Sequence, residues 1–121
     1  MGKVLVVDDE VDICTLLKRH LEKGGEEVSY CLTIKDALKD LSSNSYDMIF
    51  VDLNLSDGSG YDLISSLSDG NRKATIIVIS AYDSEKQKAL QAGASLFVPK
   101  PFTNKSITEA LQRLQSQNQQ P

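Results

Sequence analysis

The chain has 121 residues, with 40% hydrophobic and 25% charged residues, the proportions of one soluble domain built on one core. Its net charge of −4 offers no basic footprint for nucleic acid. No apolar stretch reaches the ~20 residues of a membrane span, and a lone His20 excludes a multi-histidine metal site.

Lys3-Val4-Leu5-Val6-Val7 predicts a strand buried on both faces of a parallel sheet, and it ends at Asp8-Asp9. A helix follows, with Ile13, Leu16, Leu17 and Leu21 at helical spacing and Gly24-Gly25 as its stop. Glu27 to Leu32 alternates as a second strand. Thr33 is placed to cap a helix carrying Ile34, Ala37, Leu38 and Leu41, which Ser42-Ser43-Asn44-Ser45 breaks. Tyr46 to Asp52 is the third strand and again ends in a carboxylate. A loop from Asn54 to Gly60 leads to a helix from about Tyr61 to Leu67. Gly70-Asn71 turns the chain into a fourth strand, Thr75 to Ser80. Ser84 is placed to cap a helix from Glu85 to Ala92, and Gly93 ends it. Ser95 to Val98 is the fifth strand, closely followed by Lys100. The last helix runs from about Thr103 to Leu114, with Ile107, Ala110, Leu111 and Leu114 on one face. Gln115 to Pro121 is polar and reads as a tail or the start of a linker. Cys14 and Cys31 lack metal-ligand or C-x-x-C spacing and read as reduced packing residues.

The order is a βα unit repeated five times. Right-handed crossovers make of it an α/β fold, a three-layer doubly wound parallel sheet. Such sheets bind ligands outside the carboxyl ends of their strands. Asp8, Asp9, Asp52 and Lys100 therefore converge on one small site. Three carboxylates gathered there call for a compensating cation, and hard oxygen ligands suit Mg²⁺. Any one of these aspartates alone would read as a helix or turn cap. Three of them at the ends of two strands, with a lysine at the end of a third, favour a site.

Over residues 3 to 114 the chain resembles the receiver domain of two-component response regulators. The resemblance rests on Val6-Val7-Asp8-Asp9-Glu10, Phe50-Val51-Asp52-Leu53, Ile79-Ser80-Ala81 and Lys100-Pro101-Phe102, in that order. It implies a flavodoxin-like sheet with strand order 2-1-3-4-5, a receiver domain over residues 1–114, and a Gln-rich tail over 115–121. It implies that Asp52 is the phosphoacceptor, attacking a phosphohistidine to form an aspartyl phosphate. Asp9, Asp52 and the backbone carbonyl of Asn54 would ligate Mg²⁺ (or Mn²⁺), with Asp8 acting mostly through water. Lys100 would pair with Asp52 and then with a phosphoryl oxygen. Ser80 would turn its hydroxyl toward that group, Ala81 would leave room for it, and Phe97 would be the switch aromatic. Lys100-Pro101 matches the family's cis peptide, and Gly60 a small residue whose backbone freedom helps the turn. Asn54 and Tyr82 occupy positions that tune the lifetime of the phosphoryl group. Ser56 and Ser59 depart from a proline and an aspartate common in that loop.

The resemblance further implies a signalling domain and not an enzyme. Its phosphodonor would be a sensor histidine kinase or a phosphotransfer protein. Its output would be a downstream protein or an effector domain such as a transcription regulator, reached through the face formed by the fourth helix, fifth strand and fifth helix. A homodimer through that face fits the same scheme, with no direct nucleic-acid contact and no membrane. A cytoplasmic location is expected. The polar tail favours the N-terminal receiver of a longer regulator over a stand-alone one. Three rivals share the architecture. A flavin-binding domain would need a phosphate cradle where Asp8-Asp9-Glu10 stands, and Gly58-Ser59-Gly60 does not continue as G-x-G-x-x-G. A phosphohydrolase using Asp52 would need a larger substrate pocket, and a purely scaffolding receiver would not need the intact acidic set.

Overall fold

The computed structural model describes residues 2–67, 71 and 73–118. The main elements are β1 (Lys3–Val7), α1 (Val11–Lys23), β2 (Glu27–Cys31), α2 (Ile34–Ser43), β3 (Met48–Asp52), β4 (Asn54–Leu55), β5 (Gly58–Ser59), α3 (Gly60–Ser65), β6 (Thr75–Ser80), α4 (Lys86–Gln91), β7 (Leu96–Pro99) and α5 (Asn104–Asn118). A 3₁₀ turn over Asp83–Glu85 leads into α4. The five-stranded parallel sheet has the order β2-β1-β3-β6-β7. This is the expected 2-1-3-4-5 once the small hairpin β4–β5 is set aside. Gly70, and Gln119 to Pro121 of the expected tail, lie outside the described residues.

The two faces of the sheet follow from the period of two along each strand. Val4, Val6, Phe50, Ile77 and Ile79 face one way and pack with Cys14, Leu17 and Leu21 of α1 and Ile107, Ala110 and Leu114 of α5. Leu5, Val7, Ile49, Val51, Ile76 and Val78 face the other way, against Ala37 and Leu41 of α2, Leu63 of α3 and Ala89 of α4. Phe50, Leu5, Leu17, Ile49 and Ile77 are among the largest fully buried side chains. Each such burial contributes about 1.5–3 kcal/mol against leaving the side chain in water.

Several expectations are corrected. Leu16 and Leu38 are each 40% exposed and not core. The buried stripe of α1 runs through Cys14, Leu17 and Leu21, and that of α2 through Ala37 and Leu41. Helix α3 stops at Ser65, where the hydroxyls of Ser65 and Ser66 both donate to the carbonyl of Asp62. Ser84 caps nothing: it lies inside the 3₁₀ turn, and α4 starts after Glu85 with no side-chain cap. Helix α5 continues four residues past Leu114, to Asn118, over a stretch with no glycine or proline to end it. Thr33 does cap α2, accepting from the N–H of Asp36 at 3.1 Å.

Asn71, expected only as a turn residue, is buried and ties three segments together. Its Oδ1 accepts from the Tyr46 N–H at 2.9 Å, and its Nδ2 donates to the carbonyls of Leu41 at 3.3 Å and Asn44 at 3.1 Å.

Candidate phosphoacceptor site

The registers set the site. Asp52, the last residue of β3, pairs with Ile79, and Ser80, the last residue of β6, pairs with Pro99. Val7 of β1 pairs with Val51, so Asp8 leaves its strand beside Asp52. Charged residues are tolerated at these strand ends because the ladder stops and a cleft opens. That cleft, about 320 Å³, is lined by Asp9, Glu10, Asp52, Asn54, Ala81, Tyr82 and Lys100.

Lys100 joins the carboxylates. Its Nζ lies 2.9 Å from Asp8 Oδ2, 3.1 Å from Glu10 Oε1 and 3.1 Å from Asp52 Oδ2. Burial alone would lower the lysine, but the adjacent carboxylates of Asp8 and Glu10 outweigh it and hold Lys100 above its ordinary range. The Lys100–Pro101 peptide is cis. Asp52 is buried, and its other oxygen, Oδ1, accepts from the Asn54 N–H at 3.1 Å. Asp8 is fully buried, and its Oδ1 accepts from the Glu10 N–H at 2.8 Å. Its Oδ2 has the Lys100 charge nearby but no aligned hydrogen bond. Burial raises the Asp8 carboxyl above its usual value, against the opposing pull of the Glu10 N–H and Lys100.

Carboxylate oxygens of Asp8, Asp9, Glu10 and Asp52 all lie within 4.8 Å of one another. Four carboxylates share the single ammonium of Lys100 there, and the negative charge left over fits the cluster to a divalent cation. The acidic set can therefore hold a metal ion.

Ser80 is fully buried beside the cleft, and its Oγ accepts from the Tyr82 N–H at 3.1 Å. Tyr82 is 59% exposed at the rim. Phe97 pairs with Val78, two residues before Ser80, so Phe97 and Ser80 share a sheet face. Phe97 is half-buried against the α2–α4 layer and does not line the cleft. Gly60 has a different reason from the one expected. Its φ is not positive; a Cβ there would meet the carbonyl oxygen of Asp52 and come 2.8 Å from Val51 Cγ1. The glycine is required by a close approach of backbones.

Two participants escape sequence reasoning. Glu10 stands next to Asp9, which is the one sequence signal for its contact with Lys100. Asp57 receives the N–H groups of Ile34 at 2.9 Å and Lys35 at 3.1 Å, fastening the β4–β5 hairpin to the start of α2. Nothing local in the sequence signals that pairing.

The response regulator receiver domain family matches residues 4–112. The sensory transduction protein LytT of Bacillus anthracis is 34% identical over 121 residues, 98% of this chain and 49% of that protein. The transcriptional regulatory protein LytR of Staphylococcus aureus strain N315 is 32% identical over 116 residues, covering 94% of this chain and 47% of that protein. The chain thus spans about half the length of these relatives. Among solved structures, a response regulator from Burkholderia pseudomallei with a phosphorylated aspartic acid, calcium ion and citrate superposes with TM-score 0.82 at 30% identity, covering 98% of this chain and 74% of that one. TrrA of Thermotoga maritima, in complex with Mg²⁺-BeF, superposes with TM-score 0.81 at 30% identity, covering 94% of this chain and 99% of that one.

The fold and these likenesses define a phosphorylation-dependent signalling switch of the flavodoxin-like class. The chain belongs to the response regulator receiver domain family. Domains of this family are signalling domains, not enzymes in the ordinary sense, and work with histidine kinases and effector domains. Among the described residues no helix is long and apolar enough to cross a membrane.

Proposed function

We propose that this domain takes a phosphoryl group onto Asp52 from a phosphohistidine and relays the change to a partner. The observation that carries the reading is the posture of Asp52: buried at the end of β3, one oxygen held by Lys100 and the other by the Asn54 N–H, with open cleft in front. A carboxylate oxygen of Asp52 attacks the phosphorus, the P–N bond to the imidazole breaks, and a P–O bond forms. Lys100 stays charged and shifts its hydrogen bonding from Asp52 to the phosphoryl oxygens, offsetting the charge that develops there.

Asp8, Asp9, Asp52 and the Asn54 carbonyl are the residues that would hold Mg²⁺ or Mn²⁺. When bound, the ion offsets negative charge on the transferring group. Ser80 exchanges the Tyr82 N–H for the phosphoryl group, in the room left by Ala81. Phe97 then repacks on the shared sheet face. The added charge of about −1.5 to −2 biases an existing equilibrium of the α4-β7-α5 face. Asn54 and Tyr82, at the cleft mouth, set how readily water reaches the phosphoryl group.

The phosphodonor is a sensor histidine kinase or a phosphotransfer protein. The reader is an effector domain or a separate partner, with dimerisation through α4-β7-α5 as one mode of output. The setting is the cytoplasm, where no membrane or nucleic acid is touched by this domain.

Acetyl phosphate and Mg²⁺ test the reading. The wild type should gain one phosphoryl group by intact-mass measurement, and Asp52→Asn none. Equal labelling of the two would overturn the assignment.

A further inference from the structure

Tyr61, Glu85 and Lys88 form a polar cluster outside the cleft that the phosphotransfer step does not use. The Tyr61 hydroxyl donates to Glu85 Oε2 at 2.7 Å, and Lys88 Nζ lies 4.7 Å from the centroid of the Tyr61 ring. Tyr61 belongs to the first turn of α3, directly after Gly60. Glu85 closes the 3₁₀ turn that precedes α4. The cluster therefore joins the segment that follows Asp52 to the segment that follows Ser80.

It is also the outer end of a hydrogen-bonded path into the cleft. Tyr61 O–H donates to Glu85, the Glu85 N–H donates to the Tyr82 carbonyl at 3.1 Å, and the Tyr82 N–H donates to Ser80 Oγ at 3.1 Å. In the switch proposed above, the Ser80 hydroxyl turns toward the phosphoryl group and gives up the last of these bonds. The loop between Ser80 and Glu85 must then rearrange, while Tyr61 holds its far end. Both Tyr61 and Glu85 are half-buried, so their bond is partly shielded from water. Burial and the Glu85 carboxylate push the tyrosine up to about 12, which keeps the hydroxyl a donor.

We propose that the Tyr61–Glu85 pair is a clasp that holds the loop after β6 in its unphosphorylated arrangement and opposes the switch. Tyr61 and Glu85 are positioning residues, acting on Ser80 through Tyr82. The proposal rests on Asp52 as phosphoacceptor and Ser80 as the responding hydroxyl.

The experiment is a titration of beryllofluoride with Mg²⁺, a phosphoryl mimic, into the wild type, Tyr61→Phe and Glu85→Gln, followed by amide NMR. Tyr61→Phe keeps the ring beneath Lys88 and removes only the hydroxyl. It should bind the mimic about 3- to 10-fold more tightly, the range one net hydrogen bond supports. Glu85→Gln, which keeps an acceptor without the charge, should fall between the two. Before ligand is added, amide exchange over residues 83–91 should be faster in Tyr61→Phe than in the wild type, and after saturation the two should agree. A purely structural role would lower the denaturation midpoint and leave mimic affinity unmoved. Equal or weaker affinity in both variants overturns the clasp. A wild type that ignores beryllofluoride, or that binds it equally well after Asp52→Asn, overturns the phosphoacceptor reading and the clasp with it.

Discussion

Gly60 lies against the carbonyl of Asp52, so the chain that leaves the proposed phosphoacceptor returns to touch it eight residues later. The approach is fixed by the hydrogen bond from the Gly60 N–H to the Leu53 carbonyl at 3.0 Å. A methyl group at position 60 would collide with backbone, which has less room to give than a flexible side chain. Gly60→Ala should lower stability by about 1–3 kcal/mol, read as a lower urea midpoint with unchanged slope. It should also slow labelling by acetyl phosphate, because Asp52 must shift to make space.

Asp8 predicts a trade between stability and metal response. Its carboxyl is raised by burial, so the folded state holds its proton more tightly than the unfolded chain does. Such a group destabilises the fold above its folded value, and the penalty disappears as pH falls through that value. Asp8→Asn keeps an acceptor for the Glu10 N–H and leaves Lys100 paired with Glu10 and Asp52. At pH 7 without metal it should melt higher than the wild type, by roughly 3–6 °C for each kcal/mol relieved. The gap should close on acidification. Added Mg²⁺ should raise the melting temperature of the wild type and not of Asp8→Asn.

Asn71 predicts a loss far from the cleft. Asn71→Ala strands the buried Tyr46 N–H and leaves the Leu41 and Asn44 carbonyls without their amide donor. The expected cost is about 2–3 kcal/mol, within the range for unsatisfied buried groups. Phosphorylation of the folded fraction should be unchanged, since none of these groups reaches the cleft. Urea denaturation and intact-mass labelling of the same sample check both halves.

Asp57 predicts a pH-dependent link between the hairpin and α2. Hydrogen bonds from the N–H groups of Ile34 and then Lys35 hold its carboxyl below the usual value. A depressed carboxyl contributes stability that is present above its unfolded value, about 3.9, and is lost as pH falls through the folded one. Asp57→Ala should therefore melt below the wild type at pH 7. The two curves should converge as pH drops below about 4. A gap that does not narrow on acidification would mean that Asp57 acts by something other than its charge.

The strands and the charges at their ends were legible in the sequence because both signals are local. A β-branched run ending in Asp8-Asp9 or in Asp52 announces its strand and its strand end together. Helix faces were read less well. Leu16 and Leu38 have the right spacing for a core stripe, but each lies to the side of the residues that meet the sheet. Hydroxyl side chains mark helix ends and caps by type alone, which is right for Thr33 and wrong for Ser84, whose turn is 3₁₀. The partners of Asn71, Asp57 and Tyr61 lie 22 or more residues away in the chain, and such pairings leave no periodic trace.

The alternation of β3 and β6 between two packed faces has a consequence for redesign. Every group that touches the cleft sits at a strand end or in the loop beyond it, while the residues that seat the helices lie further back along the same strands. The reactive rim and the two helical layers thus draw on separate positions of one ladder. The outer surfaces of α1 and α2 can therefore carry substitutions, as in a graft of another partner's recognition surface, without replacing any residue that lines the cleft.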